Sequence, residues 1–222
     1  MPNKRVVYIS YYDSSVGKLF KEHGYSITTS LRDNPSLICF TGGEDVGPDL
    51  YGHAVHQSTF TNPLRDTEEV AVFNEAKAAG LPMVGICRGG QFLNVMNGGT
   101  MYQDVTNHTG GHDAIIDGER LFVTSTHHQM MNPGKNAIIV GVAVGTAAER
   151  TLYDPKDNAF VTYPHKKGEL DIEVLAYGNH ICFQPHPEYS LFRETVVPLA
   201  DKFFKLIDKY CFKGEVYSSK VA

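Results

Sequence analysis

The sequence predicts an α/β fold with a mainly parallel central sheet, and three observations support this. Short β-rich runs alternate with helical stretches through the first hundred residues, as in consecutive βαβ units. Glycine-rich turns follow two of these runs, at residues 42–43 and 89–90. Between about residues 111 and 178 the pattern changes to short strands separated by turns, which predicts a small antiparallel extension.

Each element has its own local signal. Apolar β-rich runs predict strands over residues 5–10, 26–30, 37–41, 83–87, 121–124, 137–144, 150–153, 172–176 and 181–184. Helices are predicted over residues 16–23, 68–79, 89–96 and 191–210. The last of them carries an amphipathic stripe of apolar and aromatic residues.

Three boundaries follow from single residues or short segments. Asp66 or Thr67 is the expected N-cap of the second helix, and Gly80 follows its end. Pro198 is expected to bend the last helix or mark a boundary in it. Residues 154–168 contain two prolines and a Lys-Lys pair and are expected to form an exposed loop.

Length and composition indicate one globular domain over residues 1–222, with a flexible tail at about 213–222. A formal net charge of −5 argues against a nucleic-acid partner. No apolar run approaches the roughly 20 residues that span a bilayer, and no signal peptide is recognised, so a cytoplasmic protein without a membrane partner is expected. The four cysteines lack CxxC spacing and are expected to be free thiols.

One cysteine, Cys87, stands between Gly85 and Gly89 at the junction of a predicted strand and helix. This is the spacing of a nucleophile elbow, in which small flanking residues permit a sharp turn that exposes the central side chain. A helix N-terminus also favours the thiolate form of cysteine. The alternative is a structural cysteine buried on a tight turn.

A cysteine nucleophile requires a base, and the base requires an orienting acceptor. His186 and Glu188 supply both types, because Pro187 favours extended geometry at His186 and lets the two side chains project together. A surface turn in which the histidine has no role is the alternative.

The glycine pair Gly42-Gly43 follows a third predicted strand. Backbone N–H groups in such a loop can approach a substrate closely, so the N–H groups of Gly43 and Arg88 are the predicted oxyanion hole. A simple turn explains the pair equally well.

Together these motifs resemble the class I glutamine amidotransferase superfamily. The residues that carry the resemblance are Gly85-Ile86-Cys87-Arg88-Gly89-Gly90-Gln91, Gly98-Gly99-Thr100-Met101-Tyr102-Gln103-Asp104 and His186-Pro187-Glu188. Within it, the residues similar to the γ-glutamyl hydrolase (peptidase C26) branch are the segment at 41–52, Arg65-Asp66 and Ser125-Thr126-His127-His128-Gln129.

The resemblance implies a flavodoxin-like three-layer sandwich and a triad of Cys87, His186 and Glu188. That triad attacks a γ-carboxamide and hydrolyses a γ-glutamyl thioester. The same matching assigns substrate binding to Gly42, Gln91, His127 and His128, and places Asp66 near the active site. No cofactor and no metal are implied.

The expected function is therefore hydrolysis of a γ-glutamyl amide, either glutamine or a γ-glutamyl conjugate of unidentified amine. One alternative is a glutaminase subunit that passes ammonia to a separate synthetase partner. Another is a non-catalytic module that binds a glutamyl ligand or a metal, although Thr109-Gly110-Gly111 breaks any helix joining His108 to His112. The oligomeric state stays open, a homodimer being one option.

Overall fold

The computed structural model describes residues 5–213, so nearly all of the tail predicted to be flexible lies outside the described residues. The four α-helices are α1 (Ser14–Glu22), α2 (Pro63–Ala78), α3 (Arg88–Met96) and α4 (Val197–Leu206). The strands are β1 (Val6–Ser10), β2 (Ser26–Thr28), β3 (Leu37–Phe40), β4 (Met83–Ile86), β5 (Thr100–Tyr102), β6 (Asp104–Val105), β7 (Gly110–Ile116), β8 (Glu119–Ser125), β9 (Met130–Asn132), β10 (Ile138–Val144), β11 (Arg150–Asp154), β12 (Ala159–Tyr163), β13 (Ile172–Tyr177) and β14 (His180–Phe183).

A nine-stranded sheet runs through the molecule in the order β2-β1-β3-β4-β14-β13-β10-β7-β8. The first five strands pair in parallel, in the 2-1-3-4-5 order of flavodoxin-like folds. The other four extend the sheet in antiparallel pairs. The predicted α/β class, with a mainly parallel centre and an antiparallel extension, is confirmed.

Helices cover both faces of the parallel strands. On one face, Phe203 of α4 packs against Phe20 of α1 and Phe183 of β14, with ring centroids 6.1 and 5.0 Å apart. On the other face, Phe92 of α3 packs against Phe73 of α2 and Phe40 of β3. One apolar cluster lies on each face of the sheet. Helices, sheet and helices therefore form the three layers that the resemblance implies.

The second helix begins five residues earlier than expected. Pro63 occupies its first turn, where the missing N–H group of proline is harmless, and the side chain of Asn62 caps the helix by accepting from the Arg65 N–H. Asp66 is therefore not the N-cap. It lies inside the first turn and is buried.

Residues 154–168 are mostly exposed, as expected, but they are not loop throughout, because Asp154 and residues 159–163 lie in strands. Strands β11 and β12 pair there as an antiparallel hairpin, and Arg150 of β11 also pairs with Val105 of β6. The turn between the two strands places Asn158 at a φ of 47°, a conformation that asparagine tolerates well.

The last helix is shorter than expected. Residues 187–196 form two short 3-10 turns, and α4 begins at Val197 with Pro198 in its first turn. Of the two predicted effects of Pro198, a bend or a boundary, the structure shows the boundary. Within residues 5–213, no helix combines the length and the apolar character that crossing a membrane requires.

Candidate active site

The predicted site residues follow three neighbouring strands and lie at one edge of the sheet. The loop with Gly42 and Gly43 follows β3, Cys87 follows β4, and His186 lies shortly after β14. These strands are adjacent and parallel, so their carboxyl ends meet. This edge is where ligands bind in open α/β sheets.

Cys87 occupies a strained turn between β4 and α3. Its φ of 52° and ψ of −113° are rare for a residue with a side chain, and its side chain is only 8% exposed. The turn needs its glycines, because a Cβ atom on Gly85 would lie 2.1 Å from the Gly89 carbonyl oxygen, and one on Gly89 would lie 2.1 Å from the Phe40 carbonyl oxygen.

His186 is held by Glu188 and by the backbone. Its Nδ1 atom lies 2.5 Å from Glu188 Oε1, and its backbone N–H donates to the Thr124 hydroxyl. Burial opposes the imidazolium, but hydrogen bonds to Cys87 and Glu188 outweigh it and raise the pKa of His186 to about 11. The arrangement therefore favours the charged imidazolium form of His186.

The sulfur and the imidazole meet over the glycine loop. The two groups lie close enough for the Cys87 thiol to raise the pKa of the imidazole. A Cβ atom on Gly42 would lie 3.2 Å from His186 Cε1 and 3.7 Å from Cys87 Cβ. Gly42 therefore lies directly beside both groups, and a larger residue there would crowd His186. The amide of Gln184 adds a donor 3.6 Å from the Cys87 sulfur.

Gly43 and Arg88 line the same pocket as Cys87. Arg88 is the first residue of α3, so its N–H has no acceptor within the helix. Gly43 has a φ of 144°, and a Cβ atom there would lie 2.1 Å from Arg65 Nη1. Arg65 also donates to the carbonyl oxygens of Thr41 and Gly42, which fixes the loop.

A buried network of charged side chains connects α2 to the glycine loop at Gly43 and to the start of α3 at Arg88. Arg88 contacts Asp66 and Glu69 of α2, and Arg65 lies 3.3 Å from Glu69. Asp66 also accepts from the Gly47 N–H. Burial and the nearby charge of Arg65 lower the pKa of Arg88 to about 10, which leaves the guanidinium charged at neutral pH.

The residues predicted to bind substrate line a pocket of about 220 Å³ beside Cys87. Gln91 is buried and donates to Gln184 Oε1 at 3.1 Å. His127 is buried, with Nδ1 2.7 Å from the Gln129 carbonyl oxygen, and burial lowers its pKa to about 4. His128 is more exposed, and its hydrogen bond to Asp45 raises its pKa. Gly42 lines the adjoining pocket with His186.

The chain matches the family model described as Peptidase C26 over residues 26–146, more than half of its length. It belongs to the peptidase C26 family. The match contains Cys87, His127 and His128, and ends before His186. The expected place in the class I glutamine amidotransferase-like superfamily is thereby confirmed.

Relatives of this peptidase C26 protein agree with that placement. It is 39% identical over 109 residues to the glutamine amidotransferase-like YvdE homolog of Lactococcus lactis subsp. cremoris, covering 44% of this chain and 58% of that protein. It is 30% identical over 150 residues to the carbamoyl phosphate synthase small chain of Mycolicibacterium paratuberculosis, covering 66% of this chain and 37% of that one.

Each of these alignments therefore spans less than two thirds of the relative's length. The crystal structure of a glutamine amidotransferase from Thermotoga maritima has the same fold, with a TM-score of 0.62 at 14% identity. That superposition covers 94% of this chain and 99% of the Thermotoga chain.

The sequence predicted no functional role for three residues of the candidate site. Glu69 is fully buried between the two arginines, Gln184 lies beside the sulfur, and Asp45 anchors His128. Gln184 had a local signal, because it stands two residues before His186 at the end of a strand and so shares its side of an extended chain. No feature of the sequence distinguishes Glu69 from the other acidic residues of the predicted helix.

Proposed function

We propose that this protein is a cysteine-dependent amidase that hydrolyses a γ-glutamyl amide through a γ-glutamyl thioester. The observation that carries the proposal is the arrangement of Cys87 on a strained turn, close enough to His186 to raise its pKa, with His186 Nδ1 held by Glu188. This is the nucleophile, base and orienter constellation of acyl transfer.

In the first half-reaction, the Cys87 sulfur attacks the carbonyl carbon of the γ-carboxamide. The N–H groups of Gly43 and Arg88 donate to the oxyanion, and the His186 imidazolium passes a proton to the nitrogen as the C–N bond breaks. The amine, or ammonia when glutamine is the substrate, leaves. The γ-glutamyl group stays on sulfur as a thioester.

In the second half-reaction, His186 takes a proton from water, and the resulting hydroxide attacks the thioester carbonyl. The C–S bond breaks, glutamate is released and the thiolate–imidazolium pair is restored. Glu188 holds the imidazole in place throughout. The pocket with Gln91, His127 and His128 receives the glutamyl group, and Gly42 leaves room for it beside the triad.

The test is glutamate release from glutamine and from a panel of γ-glutamyl amines, measured by mass spectrometry. Cys87→Ala is expected to abolish release by at least about 10⁴-fold, as removal of a triad nucleophile does elsewhere. Cys211→Ala is the matched control, because the Cys211 sulfur lies 4.0 Å from the Met83 carbonyl oxygen at the amino end of β4, the opposite end from Cys87. Unchanged turnover by Cys87→Ala would exclude the thioester route.

A second candidate function is that of a glutaminase subunit that passes ammonia to a separate synthetase. The observation that favours it is the similarity to a carbamoyl phosphate synthase small chain. Turnover of the isolated protein separates the two. A stand-alone hydrolase releases glutamate unaided and prefers one γ-glutamyl amine, whereas a glutaminase subunit is nearly silent alone and accepts glutamine only.

A further inference from the structure

Outside the catalytic groups, three potential metal-ligating side chains converge inside the antiparallel extension. His108 precedes β7, His112 lies within β7, and Glu173 lies on β13. The Nε2 atoms of the two histidines lie 2.7 and 3.0 Å from the same oxygen, Glu173 Oε1. One ligand atom from each of the three residues lies within 4.8 Å of the other two.

Glu173 is a buried carboxylate without a cationic partner of its own. It is fully buried, and within residues 5–213 its ion-pair contacts are with the two histidines alone. The nearby Arg150 pairs with Asp171 and Glu169 instead. A buried charge is costly unless it is paired, so this site needs either a bound proton or a bound cation.

Unused hydrogen-bonding atoms surround the cluster. Glu173 Oε2 and His108 Nδ1 are buried and have no hydrogen-bond partner in the described part of the chain. His108 is itself 1% exposed. Buried polar atoms are normally satisfied, so two unpaired atoms at one carboxylate–imidazole cluster indicate that a component of the site is missing from the protein's own hydrogen bonds.

We propose that His108, His112 and Glu173 form a binding site for a divalent transition metal of the zinc class. Zn²⁺ readily takes both imidazole nitrogens and carboxylate oxygens, whereas Mg²⁺ and Ca²⁺ prefer sites built from oxygen ligands alone. Ligands at 2.0–2.1 Å from a tetrahedral ion lie about 3.3 Å apart. The two imidazole–carboxylate distances of 2.7 and 3.0 Å lie just below that spacing, and no two of the three ligand atoms are more than 4.8 Å apart.

The metal has a structural role and a connection to the Cys87 pocket. It neutralises Glu173 and ties β7 to β13, which are separated in the sheet by β10. The ring of His127 packs against His108 with centroids 4.9 Å apart, and His127 lines the pocket beside Cys87. The three donors themselves do not line that pocket.

Metal binding is tested on the full chain carrying Cys87→Ala, because a reactive thiol would bind zinc itself. The chelator-treated protein is titrated with ZnCl₂ by calorimetry and with CoCl₂ by visible spectroscopy. One ion per chain is expected, with a cobalt d–d spectrum and without a thiolate charge-transfer band. Because this variant is inactive by design, the result does not depend on the proposed amidase function.

Ligand variants locate the ion. His112→Asn and Glu173→Gln are expected to weaken zinc binding by more than about 100-fold, since loss of even an outer partner of a ligand costs 10- to 100-fold. His23→Asn, which alters a partly exposed histidine near Asp201, is the control and leaves binding unchanged. Zinc is also expected to raise the Tm of the parent but not of Glu173→Gln.

The proposal is overturned if the chelated parent takes up no stoichiometric zinc, in which case a proton balances Glu173. It is equally overturned if His112→Asn binds zinc as tightly as the parent. The zinc stoichiometry of the parent decides between a bound metal and a bound proton even if a ligand variant does not fold.

Discussion

His186 carries much of the electrostatic character of the candidate site. Its folded pKa of about 11 lies above the ordinary histidine value of 6.5, because hydrogen bonds and charge from Cys87 and Glu188 exceed the opposing effect of burial. A raised folded pKa stabilises the protein fully below pH 6.5, and this stabilisation is lost as pH rises toward 11.

Glu188→Gln is expected to lower the pKa of His186, because the variant removes a negative charge from the ring nitrogen. Activity should fall by roughly 10²- to 10⁴-fold, since the imidazole loses its orienting acceptor. NMR titration of the imidazole checks the pKa, and steady-state kinetics check the rate. A His186 midpoint that does not move in Glu188→Gln contradicts the assignment.

Gly43→Ala is expected to lower activity by roughly 10²- to 10³-fold, the usual loss when an oxyanion donor is displaced. The added Cβ atom would lie 2.1 Å from Arg65 Nη1, so the loop and its N–H must shift. Gly52→Ala is the matched control. Gly52 also has a positive φ, of 71°, but a Cβ atom there meets nothing within 4 Å. Equal activity losses in the two variants would show that backbone strain alone explains them.

At the scale of elements, α2 is more than an outer layer. Its buried face presents Asp66 and Glu69 to Arg88, and Glu69 also to Arg65 and the Ser10 hydroxyl. The helix therefore connects the glycine loop after β3 to the elbow after β4. The buried residues near its start, Arg65, Asp66 and Glu69, are all charged, which explains why the sequence placed the start of this helix too late.

Glu69→Gln is expected to destabilise the protein by about 3–5 kcal/mol, because it removes the buried carboxylate shared by Arg65 and Arg88 and leaves Asp66 as the remaining acidic partner of Arg88 on α2. Urea unfolding measures the change. The neighbouring Glu68→Gln alters an exposed acid that accepts from the Tyr11 hydroxyl, and a change within about 0.5 kcal/mol is expected there. A similar small change for Glu69→Gln would show that the network adds little.

At the scale of the whole molecule, aromatic packing joins layers that are distant in sequence. Phe203 contacts α1 and β14 from α4 and is fully buried. It thereby fixes the last helix against the sheet that carries His186. The aromatic stripe of this helix is visible in the sequence, but its partners are not.

Phe203→Ala is expected to lower the free energy of unfolding by about 3–5 kcal/mol through loss of buried area and formation of a cavity. Phe192→Ala, at a ring that is 72% exposed, should change it by less than about 0.5 kcal/mol. Thermal or urea denaturation of both variants makes the comparison. A fully folded Phe203→Ala protein of unchanged stability would contradict this packing role.

The sequence by itself determined the features that depend on near neighbours. Strand and helix alternation, the Gly85–Cys87–Gly89 spacing and the His186-Pro187-Glu188 motif are local, because turn geometry and side-chain direction are set within a few residues. These were enough for the fold class and the superfamily. The catalytic roles of Cys87, His186 and Glu188 stay predictions that the geometry supports.

Only the tertiary structure decided which distant side chains meet. The pairing of Arg88 with Glu69, of Gln184 with the Cys87 sulfur, and of both histidines with Glu173 joins residues 19 to 97 positions apart. Such contacts depend on strand order and on how helices settle on the sheet. No periodicity along one chain segment encodes them, because the partner's position is fixed by packing elsewhere in the molecule.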